Sequence, residues 1–127
     1  MIDRITFSTG PAEGSAGSAT ATGFSLPVHG KVMAVAVEYE DSPPATTDFS
    51  LSDESDPLSE EIVNLDDANT DVRLYPRRQV QDNTDGDLTY DMTEPVAEPY
   101  VVAGRMEAVI AGANAGDSCT VTVWLQC

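Results

Sequence analysis

Oxygen ligands at alternate positions before a glycine are the layout of a calcium-binding loop, and Gln81-Asp82-Asn83-Thr84-Asp85-Gly86-Asp87 has that outline. With Gly86 in the sixth place, Asn83 and Asp85 take the third and fifth. The first place then falls on Gln81 and the twelfth on Met92, where such a loop needs an aspartate and a bidentate glutamate. Asn83, Asp85 and Asp87 are therefore weak metal candidates, and the residue set favours an Asp/Asn/Gly turn on an acidic surface. Asn64-Leu65-Asp66-Asp67-Ala68-Asn69-Thr70-Asp71 reads the same way. His29 is the sole histidine, so a histidine pair cannot form within one chain, and no Gly-x-Ser-x-Gly elbow exists. Cys119 has no basic neighbour in sequence to lower its pKa, so it is expected to pack rather than react. These residues point to no catalytic constellation, no resident metal, no cofactor and no enzyme.

Four other residues suit contact with another subunit: Tyr75, Arg77, Arg78 and Trp124. The run Tyr75-Pro76-Arg77-Arg78 holds two of the six basic residues. Its guanidinium forks could grip carboxylates of a neighbouring acidic subunit, or clamp the chain's own Asp-rich loops. Trp124 carries an indole N–H that needs a partner if buried, and suits either a second core layer or a subunit contact. Cys119 and Cys127 lie eight strand steps apart, about 26 Å at about 3.3 Å per residue, whereas a disulfide needs Cα atoms within about 4.4–6.8 Å. Free thiols are expected, with an intermolecular bridge through Cys127 as the alternative.

The charge is far from ordinary. Twenty-two acidic residues face six basic ones, for a formal net charge of −16 on 127 residues and a pI near 4.1. An ordinary small domain carries a net charge of about 2–8. Self-repulsion on this scale opposes compaction in dilute buffer, yet at molar salt the Debye length shrinks to about 3 Å and the penalty fades. The composition therefore suits high salt, with nonspecific cation binding along the acidic loops. Most of the acids fall between Glu38 and Glu98. The balance argues against nucleic acid and against anionic membranes as partners. No run approaches the roughly 18 apolar residues of a membrane-spanning helix. Met1-Ile2-Asp3-Arg4-Ile5-Thr6-Phe7 lacks the layout of a signal peptide, so synthesis in the cytoplasm without general secretory export is expected.

The elements that must position these residues show a period of two. Ile2 to Phe7 alternates as a first strand, and Thr20 to Leu26 reads as a second after a Gly/Ser/Ala-rich segment, residues 10–19, expected to be a flexible loop. Lys31 to Glu40 is apolar on both faces and reads as a central strand covered on both sides. Thr47 to Ser52, Tyr100 to Ala103, Arg105 to Ala111 and Ser118 to Gln126 follow. Gly112 to Asp117 predicts an antiparallel hairpin between the last two. Leu58, Ile62 and Leu65 allow a short helical turn over Pro57 to Leu65. The reading is all-β: one antiparallel β-sandwich over 1–127, jelly-roll or immunoglobulin-like, of about seven or eight strands with long acidic loops. Val32, Val35, Val37, Met106, Ile110, Val121 and Val123 are the expected core.

The pattern resembles the small β-sandwich virion structural proteins of tailed viruses. The resemblance is carried by Gly30-Lys31-Val32-Met33-Ala34-Val35, Val37-Glu38-Tyr39 and Thr47-Asp48-Phe49-Ser50-Leu51. It continues through Ile62-Val63, Asn69-Thr70-Asp71, Tyr75-Pro76-Arg77, Asp85-Gly86, Tyr100-Val101-Val102-Ala103-Gly104 and Val121-Thr122-Val123. It is a diffuse spacing pattern over roughly Gly30 to Gln126, and the Gly/Ser/Ala-rich front segment departs from it. Together with the charge, the resemblance implies a tailed virus of halophilic archaea. It further implies a capsid-surface decoration or vertex turret subunit, a symmetric homo-oligomer with other capsid proteins as partners. A head–tail joining or tail accessory protein fits the same pattern. A carbohydrate-binding or adhesin-like sandwich is the alternative from the residues alone.

Overall fold

The structure, a computed structural model, describes residues 1–40 and 42–127. In chain order the strands are β1 (Ile2–Ser8), β2 (Ala19–Phe24), β3 (Val28–Glu40), β4 (Asp48–Asp53), β5 (Glu61–Leu65), β6 (Val72–Leu74) and β7 (Arg78–Gln79). There follow β8 (Thr89–Tyr90), β9 (Glu94–Pro95), β10 (Ala97–Glu98), β11 (Val101–Gly104), β12 (Met106–Ala113) and β13 (Ser118–Gln126). A front sheet runs β1-β13-β3-β11, with β6 beside β3, and a back sheet runs β2-β12-β4-β5. The pairs β7–β10 and β8–β9 make two small ribbons. Every pairing is antiparallel, and the architecture is a β-sandwich. No helix among the described residues is long and apolar enough to cross a membrane.

The core lies between the sheets, and the seven residues expected there are all fully buried. Leu51, Phe49, Val102 and Leu125 join them, and Ile5 and Phe7 of β1 pack against the edge of the cluster. Alternation explains β13: Cys119, Val121, Val123 and Leu125 face inward, while Thr120, Thr122 and Trp124 face out.

Three local expectations are corrected. β3 is not covered on both sides. Its pairing with β13 slips between Trp124 and Leu125, leaving Met33 as an extra residue between Ala34 and Val32. This β-bulge shifts the side-chain phase, so Val32, Val35 and Val37 all reach one core and Ala34, Ala36 and Glu38 take the outer face. Over Pro57 to Leu65 there is no helix: Asp56 Oδ2 accepts from the N–H groups of Leu58 (2.9 Å) and Glu60 (3.2 Å), and Ser59 turns through φ 49° into β5. A second slip at Ile62 lets Ile62 and Val63 both be buried.

Nor do β12 and β13 form a hairpin. β12 pairs with β2 and β4, β13 with β1 and β3, so Gly112 to Asp117 carries the chain from the back sheet to the front. Gly112 holds φ +65°, and a Cβ there would collide with the carbonyl oxygen of Thr46. Asp117 then closes the crossing, its buried carboxylate accepting from Asn114 N–H at 2.9 Å. The Gly/Ser/Ala segment is tied to the same crossing through Ala12 N–H to Asp117 O (2.7 Å) and Gly17 N–H to Asn114 Oδ1 (2.9 Å).

Candidate binding face

Sheet register assembles the most distinctive surface of the molecule on the outside of the front sheet. In one row, Arg4 of β1 lies opposite Trp124 of β13, which lies opposite Ala34 of β3. In the next, Thr6 pairs with Thr122, then Ala36, then Arg73 of β6. Ser8, Thr120 and Glu38 form the third. Arg73 reaches back so that its guanidinium carbon sits 4.6 Å from the centre of the Trp124 ring, a cation–π contact. The alanines at 34 and 36 leave the low ground over which that side chain passes. Thr6 and Thr122 share a hydroxyl hydrogen bond at 3.2 Å. All of these residues except Ala34 and Ser8 line a shallow trough.

Its electrostatics oppose those of the whole chain. Arg4 and Arg73 face a single acid, Glu38, within the trough, and Lys31 stands opposite Gln126 on the same sheet face. The ion pairs among the described residues are Arg78–Glu98 at 2.8 Å and Arg105–Glu54 at 3.1 Å. Arg4 and Arg73 thus have no carboxylate within salt-bridge distance among the described residues, in a chain with an excess of sixteen negative charges.

The residues singled out from sequence fall in three places. Trp124 is half-buried on the trough floor, neither a second core layer nor fully exposed. Within the Tyr75–Arg78 run, both arginines make bonds inside the chain. Arg78 pairs with Glu98, and Arg77 Nη1 donates to the carbonyls of Met33 (3.2 Å) and Pro76 (2.7 Å), capping the β3 bulge. Tyr75 is 63% exposed and borders an apolar groove with Ile62, Leu65 and Leu74, where β5 and β6 edge the two sheets.

The Asp-rich loops are stitched to their own backbone. Asp82 Oδ1 accepts from Thr84 N–H (2.8 Å), Gly86 N–H (2.9 Å) and the Thr84 hydroxyl (2.9 Å). Those donors, the backbone N–H of Thr84 foremost, hold its carboxyl below the usual carboxylate range. Asp85 occupies a left-handed turn at φ 61°, Asp87 accepts from Gln81 Nε2 at 3.3 Å, and Asn83 is exposed beside them. Among the described residues no three His, Cys, Asp or Glu side chains converge as a metal set. In the second run, Asp71 Oδ1 accepts from Tyr39 N–H (2.8 Å) and Asn69 Nδ2 donates to Pro43 O (2.9 Å).

Both thiols are free. Burial pushes the Cys119 thiol up to about 11, and a 3.4 Å hydrogen bond to Asp3 raises that of exposed Cys127. Each shift lowers the thiolate fraction and, with it, nucleophilicity.

Arg4 and Arg73 escaped the sequence reading. Arg4 had a usable signal, since it alternates with Ile5 and Phe7 and shares the phase of Thr6. Arg73 had none, because β6 is three residues long and lies within the acidic middle.

No family model matches this chain, and no curated protein matches it. Among solved structures it is similar to FlhE, at 18% identity over 99% of this chain and 98% of that one, with a TM-score of 0.46. It is similar to the family 32 carbohydrate-binding module of AlyQ in complex with 4,5-unsaturated mannuronic acid: 17% identity, 93% and 75% covered, TM-score 0.44. It is also similar to the family 32 module of C. perfringens NanJ in complex with galactose: 10% identity, 95% and 93% covered, TM-score 0.44. At these identities the likeness concerns the fold alone.

Proposed function

We propose that this chain is a non-enzymatic structural subunit that works by holding partners against the outer face of its front sheet. The observation that carries the reading is the trough: Arg4, Arg73 and the sole tryptophan stand together without a carboxylate partner among the described residues, in a strongly acidic chain. Arginine and tryptophan are the side chains that most often carry binding energy at interfaces. The setting is the one implied by the sequence resemblance, the particle of a tailed haloarchaeal virus, with the chain on the capsid surface as a decoration or turret subunit. The test is surface labelling of purified particles followed by mass spectrometry. The chain should be present and labelled, and its absence from the particles overturns the setting.

A second reading, a carbohydrate-binding module, is favoured by one feature: the indole carries the Arg73 guanidinium, and Arg4 and the hydroxyl-bearing Thr6, Thr120 and Thr122 line the same trough. That set suits an acidic sugar, through stacking and paired hydrogen bonds to a carboxylate. A glycan array read at high salt tests it, and no binding to uronic or sulfated sugars removes this reading.

A further inference from the structure

The chain carries, on a different part of its surface, a segment complementary to this trough. Residues 80–98 contain six carboxylates, Asp82, Asp85, Asp87, Asp91, Glu94 and Glu98, and no basic residue. Of these, only Glu98 is in an ion pair among the described residues. The same segment exposes Leu88, Tyr90, Met92 and Val96, with Tyr90 71% and Met92 92% exposed. Four exposed apolar side chains amid carboxylates are a poor solvent-facing surface and a good contact surface.

The segment is built as a projection with a fixed base. β7–β10 pairing and the Arg78–Glu98 bridge close its root, and the β8–β9 ribbon carries its tip, with Tyr90 opposite Glu94. The bonds from Thr84 and Gly86 to Asp82 brace the preceding loop. A two-stranded ribbon is narrow, and the trough is shallow and open.

We propose that the front-sheet trough receives the acidic β8–β9 ribbon of a second copy of this chain. The inference rests on the reading of the trough as a binding face and names its occupant. Carboxylates around Glu94 meet Arg4 and Arg73, and Tyr90 and Met92 cover Trp124. At molar salt long-range steering is screened, so direct guanidinium–carboxylate pairs and apolar cover carry the contact. Trough and ribbon are different patches, so the contact is head-to-tail and either closes into a ring or propagates as a filament.

The experiment measures association by sedimentation at about 3 M salt across a concentration series, where screening is strong. The trough variant is Arg4→Glu with Arg73→Glu. The ribbon variant is Asp87→Arg with Glu94→Arg, which leaves the left-handed turn residues Asp91 and Met92 untouched. Each variant alone should associate about tenfold or more weakly, the scale of interface hot spots. An equimolar mixture should recover assembly, because each variant supplies the surface the other lost. A wild-type chain that stays monomeric throughout overturns the inference. If the trough variant is impaired but the ribbon variant associates normally, the ribbon is not the occupant and the trough survives as a binding face. If both associate normally, the trough fails as well.

Discussion

The two sheets each place an arginine over an aromatic ring, and they complete it differently. On the back sheet, Arg105 lies 4.0 Å above Phe24 and its Nε is bonded to Glu54 at 3.1 Å. On the front sheet, Arg73 lies 4.6 Å from Trp124 and has no carboxylate partner among the described residues. The surrounding surfaces follow suit. Along the back sheet Glu107 lies between Phe24 and Ser52, Val109 between Thr22 and Ser50, and Ala111 opposite Asp48. That face is acidic and hydroxyl-bearing, and its guanidinium is satisfied within the chain. The front face holds two guanidiniums with no carboxylate in salt-bridge distance among the described residues. One stack is completed by a carboxylate of its own chain; the other has none among the described residues.

The largest expected effect tests whether the two faces belong to one cooperative unit. Ile110 of β12 is fully buried under the back sheet, and Trp124 reports on the front. Ile110→Ala should cost about 2–5 kcal/mol, the usual range for a buried isoleucine truncation. Because the sheets share one hydrophobic cluster, the loss should shift the Trp124 fluorescence transition and the circular dichroism transition in denaturant equally. Separate transitions would mean that the front face has its own stability and the comparison concerns two units.

The next effect separates the stacks themselves. Arg105→Ala removes a cation–π contact and a partly exposed ion pair, and should lower stability by about 1 kcal/mol without changing association. Arg73→Ala removes the stack alone, about 0.5 kcal/mol at an exposed site, yet should weaken association clearly. Paired denaturation and sedimentation measurements on the two variants check this. Equal effects on association would erase the distinction between the faces.

Much of this frame was legible in sequence, because alternation is a strong signal where a strand stays in phase. β1 and β13 keep a strict period of two and β12 keeps it from Met106 to Ile110, so Met106, Ile110, Val121 and Val123 follow from it. Alternation misleads where phase or partner changes. A one-residue bulge at Met33 makes both faces of β3 look apolar, and a slip at Ile62 turns strand spacing into apparent helical spacing. The crossing at Gly112 to Asp117 has the composition of a hairpin turn, and only its neighbours decide that it joins two sheets. The trough was hidden for a related reason. Arg4, Arg73 and Trp124 come from three strands far apart in sequence, united only by register.

The smallest effect concerns Tyr39, at the end of β3 where the front sheet comes near Asp48 of the back. Its hydroxyl is buried with no hydrogen-bond partner among the described residues. Burial, then the charges of Cys119, Asp71 and Asp48, push its pKa up to about 12. An unpaired buried hydroxyl loses its water without compensation, so Tyr39→Phe should leave stability at neutral pH unchanged or raise it by up to about 1 kcal/mol. The pH dependence has a definite sign. The folded state holds the phenolic proton more tightly than the unfolded chain, whose tyrosine titrates near 10. Stability from this group is therefore complete below about 10 and lost as pH rises toward about 12. Denaturant midpoints of the two proteins should diverge over that interval, with Tyr39→Phe falling less. Parallel curves would show that Tyr39 ionises as freely in the fold as in the unfolded chain, and that its end of the front sheet is open to water like the trough.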